Sequence, residues 1–223
     1  MGVCAPPFKG LAVRVTVVDP CGVPVTGAAG GVFVSESFTQ VQSAPQYEDG
    51  EEFLTRTASG AICINERDED FWKRDRVTID FCETDFEMTA YILGGRLLTV
   101  GSPAVTGAGF ALKVGPSPNH FSLEVWQGVA GEGSCDPTSG ARRYIYLAYP
   151  HLKGGRRGDQ TIQNGPNGMQ ILADSAEPST LWADGPGTVS WLAPAVVQAG
   201  EHWLLAVTTT PPPAATCGKV PLP

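Results

Sequence analysis

LAVRVTVVDPCG, residues 11–22, sets the class of fold. Leu11, Val13, Val15 and Val17 alternate with Ala12, Arg14 and Thr16, the period-two pattern of a strand with one buried face. Asp19-Pro20-Cys21-Gly22 then reads as a turn. The same grammar recurs along the chain. GVFVSESFTQVQ (31–42) predicts a second strand, long and increasingly polar, with one face in water, and VTIDFC (77–82) places Val77, Ile79 and Phe81 on a common face. GFALKV (109–114), HFSLEVW (120–126), RRYIYLAY (142–149), MQILAD (169–174), TVSWLA (188–193) and HWLLAVTT (202–209) continue the series. RRYIYLAY is apolar on both sides, as a strand covered on two faces should be. Asn164-Gly165 and Asn167-Gly168 signal tight turns.

One helix interrupts the strands. Thr84-Asp85-Phe86-Glu87 fits a capping box, Phe86, Ala90 and Leu93 follow at helical spacing, and Gly94-Gly95 stops the run. With 27 glycines and 19 prolines against 17% charged residues, short elements joined by turns are favoured throughout. The reading is a mainly β chain, a β-sandwich or partial barrel with one short flanking helix: a single domain over 1–209, then a proline-rich extended arm over 210–223. Residues 43–70, SAPQYEDGEEFLTRTASGAICINERDED, read as a long acidic inter-strand loop.

Charge is regional. Between Glu48 and Glu87 thirteen acids face five bases, which accounts for the whole net charge of −8, and the remaining ten acids and ten bases cancel. Such a region repels phosphate backbones and anionic lipid, so no specific DNA binding and no membrane partner are expected. The N-terminus lacks a signal-peptide pattern, no window approaches a membrane span, and a cytoplasmic site of synthesis follows. The six cysteines contain no C-x-x-C pair, so free and mostly buried thiols are expected, with a disulfide or a thiolate site assembled from distant strands left open.

Catalytic patterns are missing from the sequence. It has no GxSxG, HExxH, Walker or Rossmann fingerprint, and His120, His151 and His202 are isolated, His120 and His202 reading as solvated imidazoles at strand starts. NERDEDFWKRDR fails as an EF-hand because Arg67, Phe71 and Arg74 interrupt the ligand series. The many acids could include a glycosidase pair only if two faced each other across a cleft. No enzyme, metal or cofactor is expected. Trp72, Trp126, Trp182, Trp191 and Trp203 are dispersed and outline no binding site.

SAPQYEDGEEFLTRTASGAICINERD, VTIDFCETD leading into a helix that ends GGRLLT, FSLEVWQGVAG and RRYIYLAYPHL resemble the major tail proteins of long-tailed phages that infect actinobacteria, over roughly residues 1 to 210. That resemblance implies a structural virion protein, assembled in the host cytoplasm, whose subunits contribute strands to an inter-subunit barrel in hexameric rings stacked as a tail tube. Its partners would be further copies of itself and other tail proteins such as the tape measure and terminator, and DNA would pass through the lumen during ejection. The resemblance carries no catalytic residue over. Two uses of the acidic segment follow: a lumen lining from which DNA slides, or a contact with the adjacent ring. For Gln46, Tyr47, Glu48, Asp49, Glu51, Glu52 and Phe53 the contact is favoured, with Tyr47 and Phe53 as apolar anchors and Arg142, Arg143, Arg156 and Arg157 as charge partners on a neighbour. Alternatives are a tail terminator, adaptor or distal tail protein that forms one ring, a cytoplasmic β-sandwich binding module, and an acid-using hydrolase.

Overall fold

The computed structural model of the chain describes residues 7–83, 85–101, 107–160, 168–176, 182, 197–198 and 200–222. Thirteen strands and one helix follow in order: β1 (Pro7–Val18), β2 (Gly27–Ser35), β3 (Phe38–Glu48), β4 (Glu52–Arg56), β5 (Ile62–Arg67), β6 (Phe71–Phe81), α1 (Phe86–Ile92), β7 (Arg96–Val100), β8 (Gly107–Ala111), β9 (His120–Val129), β10 (Tyr144–Arg157), β11 (Met169–Ser175), β12 (Leu204–Thr208) and β13 (Val220–Leu222). A nine-stranded antiparallel sheet runs β13-β2-β1-β9-β10-β11-β6-β3, with β12 also on β10, and two separate ribbons pair β4 with β5 and β7 with β8. The sheet folds over on itself without closing into a barrel, giving a sandwich-like fold.

Strand β10 makes the corner. Its first half pairs with β9 and β12, its last residues pair with β11, and its register breaks between Tyr149 and Leu152 and again between Lys153 and Arg156, where Gly154 takes φ +67°. Val13, Val15 and Val17 on one layer meet Val77, Ile79 and Phe81 on the other, with Phe121, Leu123, Tyr149 and Ile171 filling the space between. Full burial of each large side chain there stabilises by about 1.5–3 kcal/mol.

The alternation read in residues 11–17 is present, but its second face is not wet: Ala12, Arg14 and Thr16 are buried as well. A second cluster containing Trp126, Tyr146, Ala148, Trp182 and Val197 covers that side. Burial of Arg14 there is tolerated because its guanidinium donates to both Glu124 oxygens, at 2.6 Å and 2.5 Å, lies 5.3 Å from the Trp126 ring centre, and shares Glu124 with the Tyr146 hydroxyl at 2.6 Å. Burial, and then the Glu124 charge, push the Tyr146 phenol far above its ordinary range.

Residues 31–42 are two strands and not one. Ser35 and Ser37 turn the chain, the Ser35 hydroxyl accepting from the Ser37 N–H at 3.1 Å, so β2 borders β1 while β3 pairs with β6 in the opposite layer. Helix α1 is capped by Asp85, whose carboxylate accepts from the N–H groups of Glu87 and Met88. It ends in a Schellman turn, with Gly95 N–H to Ala90 O at 2.7 Å and Gly94 N–H to Tyr91 O at 3.1 Å. Its buried residues are Met88, Thr89, Ala90 and Ile92, while Phe86 is exposed and meets Phe110 of β8. Ile92 lies directly on the Gly155 backbone, where a Cβ would overlap its carbonyl, so α1 seats on the last turn of β10.

The arm expected from residue 210 does form a ladder at its end. Val220 and Leu222 pair with Val32 and Gly27, Thr216 exchanges bonds with Val34, and Asp85 and Glu87 accept from the N–H groups of Gly218 and Lys219. Pro221 has no donor, which blunts that edge. The cysteines also depart from expectation: Cys21, Cys63, Cys82, Cys135 and Cys217 are free, as read, but exposed. TVSWLA and the Asn164-Gly165 turn lie outside the described residues, as do Thr84, Asn167, Cys4 and Trp191. Among the described residues no helix is long and apolar enough to cross a membrane.

Candidate functional site

The acidic segment 43–70 is not an irregular loop. The β3–β6 ladder continues to Tyr47 opposite Trp72 and Glu48 opposite Phe71, and after a short break β4 and β5 pair from Glu52–Arg67 to Arg56–Ile62. The break is stitched by the Asp68 N–H on Glu51 O at 3.0 Å, the Gly50 N–H on Asp70 at 3.0 Å, and Arg67 on the same carboxylate at 2.7 Å. Thr57–Gly60 forms the tip, with Gly60 at φ +87° and the Thr57 N–H on Ala61 O at 2.8 Å. At about 3.3 Å per residue the arm reaches about 30 Å from its root.

Every side chain of β4 and β5 is exposed. Pairing puts Phe53, Thr55, Ile64 and Glu66 on one face and Glu52, Leu54, Asn65 and Arg67 on the other. Apolar side chains therefore stand in water on both sides of a ribbon that has no other strand beside it among the described residues. Two-stranded ribbons of this kind are marginal alone.

A concave surface lies at the root of the arm. Tyr47 and Pro45 of β3, Trp72 and Asp75 of β6, Leu147 and Tyr149 of β10 and Trp203 and Leu205 of β12 line a groove of about 490 Å³. It lies where β10 passes from pairing with β12, through Ala148, to pairing with β11, from Leu152. Trp72 is held by its N–H on Asp75 at 3.2 Å and by the His202 ring 5.0 Å away, and His202 in turn bonds Ser175 at 3.1 Å. Two tryptophans that look dispersed in sequence thus converge. The apolar pair Phe53-Leu54 and the apolar run AICI inside a charged segment were the signal available for Leu54, Ile62 and Ile64; Trp72 and Trp203, 131 positions apart, had none.

Of the residues expected to make the contact, Glu48, Asp49, Glu51, Glu52 and Phe53 project on or beside the arm, and Tyr47 is 61% exposed at its root. Gln46 is turned back, its amide donating to Ala44 O and Pro45 O at 3.3 Å. Glu48 bonds Lys73 at 2.8 Å, which holds its carboxyl below the usual range. The four arginines do not form one patch. Arg142 and Arg143 precede β10 and Arg156 and Arg157 end it, at opposite poles of the sheet. Arg143 bonds Asp136 at 2.8 Å, Arg156 bonds Asp174 at 3.3 Å, Arg157 reaches Gln160 at 3.4 Å, and Arg142 lies 5.9 Å from the Tyr144 ring centre. The Ser139 N–H, then Arg143, hold the Asp136 carboxyl far below the usual carboxylate range.

His120 and His151 are paired, not solvated: Nδ1 of His120 lies 2.7 Å from Nε2 of His151, and His151 is buried. Burial, then the Lys153 charge, lower the His120 pKa below 6.5 against the opposing pull of Asp19. A histidine whose folded pKa is depressed binds fewer protons folded than unfolded, so stability is full above about pH 6.5 and is lost as pH falls through that window. Denaturation midpoints are expected to drop between pH 7 and pH 5, and His120→Asn is expected to flatten that slope.

Among the described residues no group of three or more His, Cys, Asp or Glu side chains is placed to share a metal ion. No family model matches the chain, and no curated protein matches it in sequence.

Proposed function

We propose that the chain is a structural subunit that self-assembles into stacked rings forming a tail tube, a conduit for DNA in a virion. The observation that carries this reading is the projecting β4–β5 arm, a two-stranded ribbon with Phe53, Leu54, Ile62 and Ile64 each close to half exposed. Among the described residues nothing covers it, and sister molecules would. The outer edge of β3, eleven residues long and unpaired among the described strands, offers a second site for strand pairing between copies. Head-to-tail contacts of this kind close into rings by rotation and continue as filaments by translation. The acidity of the arm, eight carboxylates against two arginines, disfavours retention of DNA.

A second reading, a binding module, is favoured by the aromatic groove beneath the arm, whose largely apolar lining suits an apolar ligand. Sedimentation velocity across a concentration series separates the readings. A tube subunit gives boundaries that broaden and quicken with concentration, a single-ring tail protein stops at one oligomer, and a binding module stays monomeric. A monomer at every concentration overturns the proposal.

A further inference from the structure

We infer that the acceptor for the acidic arm is the β7–β8 ribbon of a second copy. The inference rests on the stacking reading above and names its missing half. Following the ladder registers, the arm leaves the pole at which β6 and β10 begin, because Asp174 of β11 pairs with Arg76 of β6 while Ser175 pairs with Leu152 of β10. Helix α1 sits at the other pole: the Tyr91 hydroxyl donates to His120 O at 2.7 Å at the start of β9, and Ile92 packs on Gly155 near the end of β10. The β7–β8 ribbon runs out from α1, tied to it by Phe86 against Phe110. Among the described residues, two two-stranded ribbons separate from the main sheet therefore stand at opposite poles.

Their chemistries are complementary. From Glu48 to Asp70 the arm has a formal charge of −6, whereas Arg96–Val114 contains Arg96 and Lys113 and no acid, giving +2. Both expose apolar side chains: Leu97, Leu98 and Val100 on β7, the last at 69%, and Phe53, Leu54, Ile62 and Ile64 on the arm. Every side chain of β7 is exposed, as on β4 and β5, while β8 leans on α1 and the core through Phe110, so β7 is the open strand of this ribbon. Translation that repeats the subunit head to tail carries the arm of one copy to the helix pole of the next. Arg142 and Arg143, at the arm's own pole, are left out of that contact. Apolar faces meeting inside a rim of opposite charge supply both register and affinity.

The test uses the full chain mixed as equal parts of ¹⁴N- and ¹⁵N-labelled protein, treated with a carbodiimide that joins touching carboxylates and amines, and read by mass spectrometry. The chain has five lysines, Lys9, Lys73, Lys113, Lys153 and Lys219, so each amide reports a distinct contact, and the Lys73–Glu48 link within one subunit is the internal control. Mixed-isotope links from Lys113 to Glu51, Glu52 or Glu66 are expected. Copies that associate but link the arm only to other lysines overturn the acceptor and leave the stacking reading standing. Copies that never associate overturn both. Independently, Arg96→Glu with Lys113→Glu is expected to raise the critical concentration for assembly at least tenfold, and Glu52→Lys with Glu66→Lys to restore it. Unchanged assembly by the first pair overturns the inference.

Discussion

Replacing Glu124 by alanine is expected to lower the unfolding free energy by about 3–5 kcal/mol, because it strips the carboxylate from a buried guanidinium and a buried phenol together. Glu124 and Thr16 are fully buried and Arg14 is only 7% exposed, so water cannot take over the lost bonds. Domains of this size hold only about 5–15 kcal/mol in all, so the loss removes a large part of the margin. The measurement is the denaturant midpoint at unchanged slope, where a shift reports stability alone. Thr16→Val provides the contrast. Its hydroxyl is buried with no hydrogen-bond partner among the described residues, so an apolar isostere is expected to be neutral or stabilising, within about 1 kcal/mol. Equal losses at the two positions would mean that packing, and not the charge network, sets the cost on that face.

Tyr47→Ala together with Phe53→Ala is expected to leave folding intact and to abolish long tubes. The two rings are 61% and 45% exposed in the subunit, and surface truncations of that kind usually shift stability by no more than about 0.5 kcal/mol. At an interface, two aromatic anchors at about 2 kcal/mol each weaken association by about a thousandfold. The variant should therefore show a wild-type denaturation midpoint and no long tubes in electron micrographs. Tubes of normal length would remove both residues from the contact.

Strand content was legible because period-two alternation survives in β1, β6, β9 and β11, where one face meets the core and the signal is local. The fate of the second face was not: Arg14 looks solvent-facing in sequence, and only Glu124, 110 positions away, makes its burial tolerable. The acidic segment read as a loop because charge, glycine and proline are loop signals, yet its pairing from Glu52 to Arg67 depends on cross-strand partners. The break at Ser35–Ser37 likewise follows from which layer each half joins. At the candidate site the exposed anchors Tyr47 and Phe53 were visible as aromatics inside a polar run. The groove was not, since Trp72 and Trp203 meet only through the forking of the sheet. The arginines illustrate the reverse: two pairs close in sequence read as charge partners for the same acidic tip, and a fourteen-residue strand puts them at opposite poles.

Negative-stain electron microscopy of the purified chain at rising concentration tests the central claim, that sister molecules cover what the subunit leaves exposed. Stacked rings of constant bore, lengthening with concentration, are the predicted result. Compact single particles that persist at the highest concentration, with the β4–β5 arm protected from proteolysis by its own subunit, would contradict it.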